Sequence, residues 1–259
     1  MRVLAGTSGF SYPEWRGTFY PQDLADDRML RYYAERLPSV EINNTFYRMP
    51  RAELLERWKA EVPDSFCFGV KAPRRITHIA RLKDCGEEVE YLYRVLGVFG
   101  ERLGPTLFQL PPFLKKDVEL LQSFLACLPK TALPAFEFRH ASWFDDEVYD
   151  ALRSAGAALV GGDADEGPPP PLVATADWGY LRLRSPAYDE AGIAAWSERI
   201  KAQPWTRAFV YFKHESLGPS YAQHLLDPSF VVPEAPPPSS VEPPPKPRTR
   251  KRKAPAAKA

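Results

Sequence analysis

The chain has 259 residues, 44% of them apolar, with 34 Lys/Arg against 33 Asp/Glu, which is enough to fill the core of one (β/α)8 barrel without a second domain. The near-neutral total hides an asymmetry: seven Lys/Arg and two Glu from Pro233 onward give the tail +5 and leave −4 for the body. An acidic body argues against a broad duplex-binding face, and no apolar run has the flanks of a signal peptide or the length of a membrane span. Cys67, Cys85 and Cys127 are scattered without a CxxC pair, so a reducing cytoplasm is expected rather than a disulfide framework.

In chain order, β-type runs alternate with helical patterns. The runs Val3–Ser8, Val40–Asn43, Phe66–Lys71, Thr106–Leu110, Ala135–Arg139, Ala157–Asp163, Tyr180–Arg184 and Phe209–Lys213 read as eight strands. Between the third and fourth, Val89, Leu92, Val95, Leu96, Phe99 and Leu103 recur at spacings of three and four, and Gly104-Pro105 reads as the stop before the fourth strand. Val118, Leu121, Phe124, Leu125 and Leu128 repeat the pattern. Ser142 with Asp145 three residues on reads as a capping box ahead of Val148 and Leu152. The stretch Asp163 to Tyr180 holds Gly167 and four prolines, which predicts a loop or one short turn. The order predicts an α/β fold: a single (β/α)8 TIM barrel over residues 1–232. Residues 233–259, Pro-rich and then basic, are expected to be a disordered tail. Its Lys246, Arg248, Arg250, Lys251, Arg252 and Lys253 read either as a tether for nucleic acid or as a solubilising segment.

Alternation along the strands collects the chemistry. In Ala135-Phe136-Glu137-Phe138-Arg139 the phenylalanines share one face and Glu137 and Arg139 the other. Glu41 and Asn43, Lys71, and Arg182 and Arg184 fall on the non-apolar face of their strands in the same way. Barrel strands pack their apolar face on helices, so these groups are predicted to point inward, near the C-terminal ends where barrel sites form. Gln109, Asp163 and Lys213 close the fourth, sixth and eighth strands. Five basic groups against three acidic ones suit a small anionic ligand, with Arg139 and Arg182 as planar partners. Glu41, Lys71 and Glu137 are the candidate catalytic groups; Asn43, Gln109, Arg139, Asp163 and Arg182 are the candidate binders. The other reading is a structural plug, with Glu41 paired to Lys71 and Glu137 to Arg139. Tyr20, Tyr47 and Trp143, in loops after the strands, are candidates to stack on a ligand or to pack the rim. The four histidines form no HxH or HExxH pair, and no P-loop or GxGxxG fingerprint occurs, so neither a metal nor a nucleotide cofactor is expected.

Five blocks occur in order: Thr7-Ser8-Gly9 with Trp15-Arg16-Gly17 and Phe19-Tyr20-Pro21; Val40-Glu41-Ile42-Asn43-Asn44-Thr45-Phe46-Tyr47; Phe68-Gly69-Val70-Lys71-Ala72-Pro73; Leu107-Phe108-Gln109-Leu110-Pro111-Pro112; and Phe136-Glu137-Phe138-Arg139-His140 with Ser142-Trp143. Together they resemble the YecE-like family, domain of unknown function seventy-two, over residues 1–232. The resemblance implies a TIM barrel, distantly similar to endonuclease IV, and brings no established activity. Tyr211-Phe212-Lys213-His214-Glu215 stands where many members resemble Tyr-Phe-Asn-Asn-Asp, and Arg184-Ser185-Pro186 where Arg and His-Gly are usual. Two functional expectations result: an enzyme acting on a small phosphorylated or sugar-like anion, or a nucleic-acid-binding or processing protein aided by the tail.

Overall fold

The structure, a computed structural model, describes residues 1–163 and 169–233. The predicted tail, with its six basic residues from Lys246 to Lys253, lies outside the described residues, as do residues 164–168 of the stretch before the seventh strand. Eight strands form one closed parallel sheet: β1 Arg2–Ser8, β2 Ser39–Ile42, β3 Cys67–Lys71, β4 Leu103–Gln109, β5 Pro134–Glu137, β6 Ala158–Gly162, β7 Trp178–Leu183 and β8 Arg207–Phe212. Each pairs with its sequence neighbour, and β8 closes on β1 over Arg2–Thr7. Helices follow the first five strands: α1 Met29–Ala34, α2 Ala52–Glu61, α3 Gly86–Leu96, α4 Val118–Ala126 and α5 Asp146–Ser154. After β7 and β8 come α6 Glu190–Lys201 and α7 Gly218–Leu226. Residues 169–177, between β6 and β7, form no helix, since a run of prolines removes the N–H donors a helix needs.

The face parity is as predicted. Val40, Ile42, Phe68, Phe136, Leu181 and Val210 point outward into the apolar layer shared with the helices. Leu4, Leu107, Val160, Trp178, Tyr180 and Tyr211 form a second apolar cluster inside the barrel. At the N-terminal end of the strands, Trp178 meets Phe209 edge to face at 6.0 Å. One level up, Ser39 and Tyr211 share a hydrogen bond of 2.8 Å. The interior is therefore packed from below, and charge is confined to its upper end.

Two local expectations are corrected. Gly104 and Pro105 do not stop a helix; they lie inside β4. The helix ends at Leu96, a 3-10 segment Gly97–Arg102 follows, and Gly100 turns the chain at φ 57°. The register between β3 and β4 shifts between Phe68 and Val70, opposite the proline that has no N–H to give to the ladder. Ser142 does not cap α5. Asp145 is the N-cap, accepting from the Glu147 N–H, while the Ser142 hydroxyl accepts from the Lys116 N–H.

Candidate functional site

The upper end of the barrel interior holds two carboxylates bridged by one guanidinium. Glu41 on β2 is 0% exposed, Glu137 on β5 is 8% and Arg182 on β7 is 5%. Arg182 donates from Nη2 to Glu41 Oε1 at 2.8 Å and from Nη1 to Glu137 Oε2 at 2.7 Å. Strand alternation puts all three on the inward face, and closure of the sheet brings β2, β5 and β7 around one axis.

Each carboxylate is fully engaged. Glu41 Oε1 also accepts from Ser8 Oγ at 2.7 Å and Asn43 Nδ2 at 3.0 Å, and Oε2 accepts from the Tyr180 hydroxyl at 2.6 Å. Glu137 Oε2 also accepts from Gln109 Nε2 at 2.8 Å, and Oε1 from Arg184 Nη2 at 2.8 Å and from Arg139 at 3.4 Å. Burial opposes charge on Glu41, but Arg182, Tyr180, Ser8 and Asn43 outweigh it and hold its carboxyl below the usual range. Burial likewise opposes charge on Glu137, and Arg182, Arg184 and Arg139 together hold it far below. Both are ionised at neutral pH. Burial, and then the neighbouring Glu41, push the Tyr180 hydroxyl far up, so it stays a donor.

Lys71 ends β3 beside this network. Its Nζ donates to Gln109 Oε1 at 2.8 Å and sits 4.2 Å from the centre of the Phe46 ring. The expected Glu41–Lys71 pair does not form: Glu41 is taken by Arg182, and Lys71 turns to a neutral amide. Burial first, and then the nearby Arg182 charge, bring the Lys71 ammonium down to about 8. The expected Glu137–Arg139 pair does form, alongside two stronger ones. Among the described residues, three guanidiniums thus gather on the two carboxylates, with the Lys71 ammonium beside them on the Gln109 amide.

The structure therefore brings together Glu41, Asn43, Lys71, Gln109, Glu137, Arg139 and Arg182. The remaining candidates lie elsewhere. Asp163 accepts the backbone N–H groups of Arg184 at 3.0 Å and Ser185 at 3.3 Å, and the Tyr188 hydroxyl, which pins the loop after β7 to the end of β6. Tyr20 is buried among Trp15, Phe19 and Tyr32 and donates to the Phe10 carbonyl. Trp143 stacks on the outward-facing Phe138 at 4.5 Å and donates to the Leu114 carbonyl. Tyr20 and Trp143 are therefore loop-packing residues. Tyr47 is 77% exposed at the rim. Lys213 is exposed. His214 is spent in its own loop, accepting through Nδ1 from Leu217 and facing the Pro186 carbonyl through Nε2. Ser8 and Tyr180 join the network from inward positions that strand parity made legible, and Phe46, one of the aromatics expected in the loop after the second strand, meets Lys71 rather than open solvent.

Among the described residues no group of three His, Cys, Asp or Glu is placed to hold a metal ion. No helix there is long and apolar enough to cross a membrane.

A closed parallel barrel filled by side chains and finished at the C-terminal ends of its strands by a desolvated ion network is a (β/α)8-barrel protein with a charged mouth. The chain belongs to the DUF72 family, whose model, described as "Protein of unknown function DUF72", matches residues 4–238. It is 33% identical over 143 residues to the UPF0759 protein YecE of Escherichia coli K12, covering 55% of this chain and 50% of YecE. To the UPF0759 protein YunF of Bacillus subtilis 168 it is 30% identical over 145 residues, covering 53% and 51%. The chain thus spans about half the length of these curated relatives. A DUF72 family protein of Thermotoga maritima MSB8 superposes with TM-score 0.76 at 28% identity, covering 87% of this chain and 98% of that one. A DUF72 family protein of Enterococcus faecalis V583, at 21% identity and TM-score 0.71 over 86% and 93%, shares the fold.

Proposed function

We propose that the mouth of the barrel is the active site of an enzyme acting on a small anionic substrate, phosphorylated or sugar-like, and that Lys71 supplies its reactive group. The observation that carries this reading is Lys71 itself. It is an interior lysine at the C-terminal end of a barrel strand, hydrogen-bonded to a neutral amide and lying over the Phe46 ring, with its pKa brought to about 8. A partly deprotonated amine near neutral pH serves as a nucleophile or as an acid–base group. Glu41 and Glu137, each ionised and held by several donors, fit the task of fixing the guanidiniums better than that of moving protons. Arg139, with its side chain 33% exposed, is the cation best placed to meet an incoming anion, and Asn43 and Gln109 orient around it. Location in a reducing cytoplasm is part of the same proposal, supported by three free cysteines.

Calorimetric titration with inorganic phosphate and with a panel of sugar phosphates and 2-oxo acids tests the reading. Arg139→Ala is expected to weaken anion binding by about 1–3 kcal/mol, the range for a charged hydrogen bond, while leaving the melting temperature in place. Lys71→Met is expected to abolish turnover of any substrate found. A fall in melting temperature with anion affinity unchanged would instead make the charges a structural plug. Binding of nucleic acid alone, lost on removal of residues 233–259, would favour the nucleic-acid alternative carried by the tail.

A further inference from the structure

The connections after β2 and β3 enclose two clefts outside the carboxylate network. The first, about 540 Å³, is lined by Arg48, Arg51, Arg57 and Trp58 among others. The second, about 220 Å³, is lined by Phe46, Tyr47, Arg74, Arg75 and Tyr91 among others. Thr45, Arg48 and Met49 line both, so the two adjoin across one short segment. That segment is anchored: the Thr45 hydroxyl reaches the Ile42 carbonyl at 3.2 Å and the Lys71 carbonyl at 2.6 Å, at the ends of β2 and β3.

Among the described residues, most of the arginines in these clefts make no hydrogen bond or ion pair of their own. Arg75 is paired with Glu88 at 2.8 Å. The side chains of Arg48, Arg51, Arg57 and Arg74 make no hydrogen bond or ion pair among the described residues, and Glu53 is the other acid in the lining. They converge on a body whose net charge is −4 by sequence, so this patch runs against the protein's overall field. Aromatic surface lies beside them. Tyr47 is 77% exposed and Tyr91 49%, and Phe46 supports Tyr47 edge to face at 5.1 Å. One phosphate occupies one or two guanidiniums. Four of them spread over adjoining clefts, with Trp58 in the first and Tyr47 and Tyr91 in the second, match a ligand that carries several phosphates and flat groups along one strand.

We propose that this double cleft is a docking site for single-stranded nucleic acid, with phosphates on Arg48, Arg51, Arg57 and Arg74 and bases against Tyr47 and Tyr91. The site is separate from the basic tail and does not depend on Lys71 chemistry.

Fluorescence anisotropy with a short labelled oligothymidine, on the full chain across a salt series, tests it. Because the tail attracts polyanions by itself, the comparison is between full-chain variants. The triple variant Arg48→Gln, Arg51→Gln, Arg57→Gln should bind about tenfold more weakly or worse. Its slope of log affinity against log salt should be shallower by about 2, at roughly 0.7 per lost phosphate contact on a single strand. A control that removes the same charge elsewhere, Arg2→Gln, Arg199→Gln, Arg207→Gln, should lose much less. Tyr47→Ala should weaken binding about tenfold with the salt slope unchanged, the signature of a lost stack. Equal losses in the two triple variants would assign binding to net charge and the tail, and overturn the proposal. Absence of strand binding, or equally tight binding of thymidine monophosphate, would overturn it as well.

Discussion

Arg182 and Glu41 meet across the barrel at 2.8 Å, from strands β7 and β2 that are not neighbours in the sheet, with side chains 6% and 0% exposed. The same guanidinium holds Glu137 at 2.7 Å. One planar cation thus bridges two interior anions: it is the ion-pair partner of Glu41, while Glu137 is also paired with Arg184 and Arg139.

Removing that cation leaves two buried carboxylates short of their main partner. Arg182→Met is expected to destabilise the barrel by about 3–5 kcal/mol, the range for breaking a buried pair from one side. Urea unfolding followed by circular dichroism measures it. Arg182→Lys, a single point donor, should recover only part of the loss. A change under about 1 kcal/mol in Arg182→Met would show that the carboxylates relax to water.

The carboxylates also set the acid limit of stability. Both folded pKa values lie below the ordinary glutamate value, which is about 4.3 in the unfolded chain. Stability falls with falling pH wherever the unfolded chain binds more protons. Their contribution is therefore complete above about pH 5 and is lost as pH drops from there through the folded values. Urea midpoints across this acid range should fall steeply for the wild type and less steeply for Glu137→Gln.

Lys71 behaves in the opposite window. Its folded pKa, about 8, lies below the unfolded lysine value of about 10.4. Between those values the unfolded chain holds the proton and the folded one does not, so stability relative to Lys71→Met should rise with pH across that interval. Amine acylation followed by mass spectrometry should likewise give Lys71 an apparent pKa near 8, with exposed lysines titrating higher. A Lys71 profile matching theirs would remove the basis of its proposed role.

Two interior glycines should respond unequally to a methyl group. A Cβ on Gly6 would lie 1.8 Å from the Ser39 carbonyl oxygen, which belongs to the neighbouring strand backbone. A Cβ on Gly69 would lie 2.6 Å from the Tyr211 hydroxyl, the end of a side chain. Overpacking costs about 1–3 kcal/mol where neighbours can shift. Gly69→Ala should fall within that range, and Gly6→Ala should exceed it or fail to fold.

Most of the strand framework was legible because it rests on local alternation. Phe136 and Phe138 against Glu137 and Arg139 already state which face meets helices and which meets the interior. The helix limit before β4 was misread because glycine and proline ordinarily break helices. Here they sit in a strand that tolerates a register shift, a choice made by the neighbouring β3 and invisible from one segment alone. Tyr20 and Trp143 were misplaced for a related reason: a large aromatic ring in a loop carries the same chemistry whether it faces a ligand or the protein's own interior.

Sequence by itself determined the class of fold, the eight-strand order, and that Glu41, Lys71, Gln109, Glu137, Arg139 and Arg182 face inward near one end, since each depends on periodicity within a few residues. Only the tertiary structure decided who pairs with whom. Closure of the sheet set Arg182 between Glu41 and Glu137, left Lys71 to Gln109 and Phe46, and turned Asp163 to the loop after β7. Those outcomes depend on distances across the barrel, where burial makes the planar, permanently charged guanidinium the stronger competitor for both carboxylates and leaves the amine to a neutral partner.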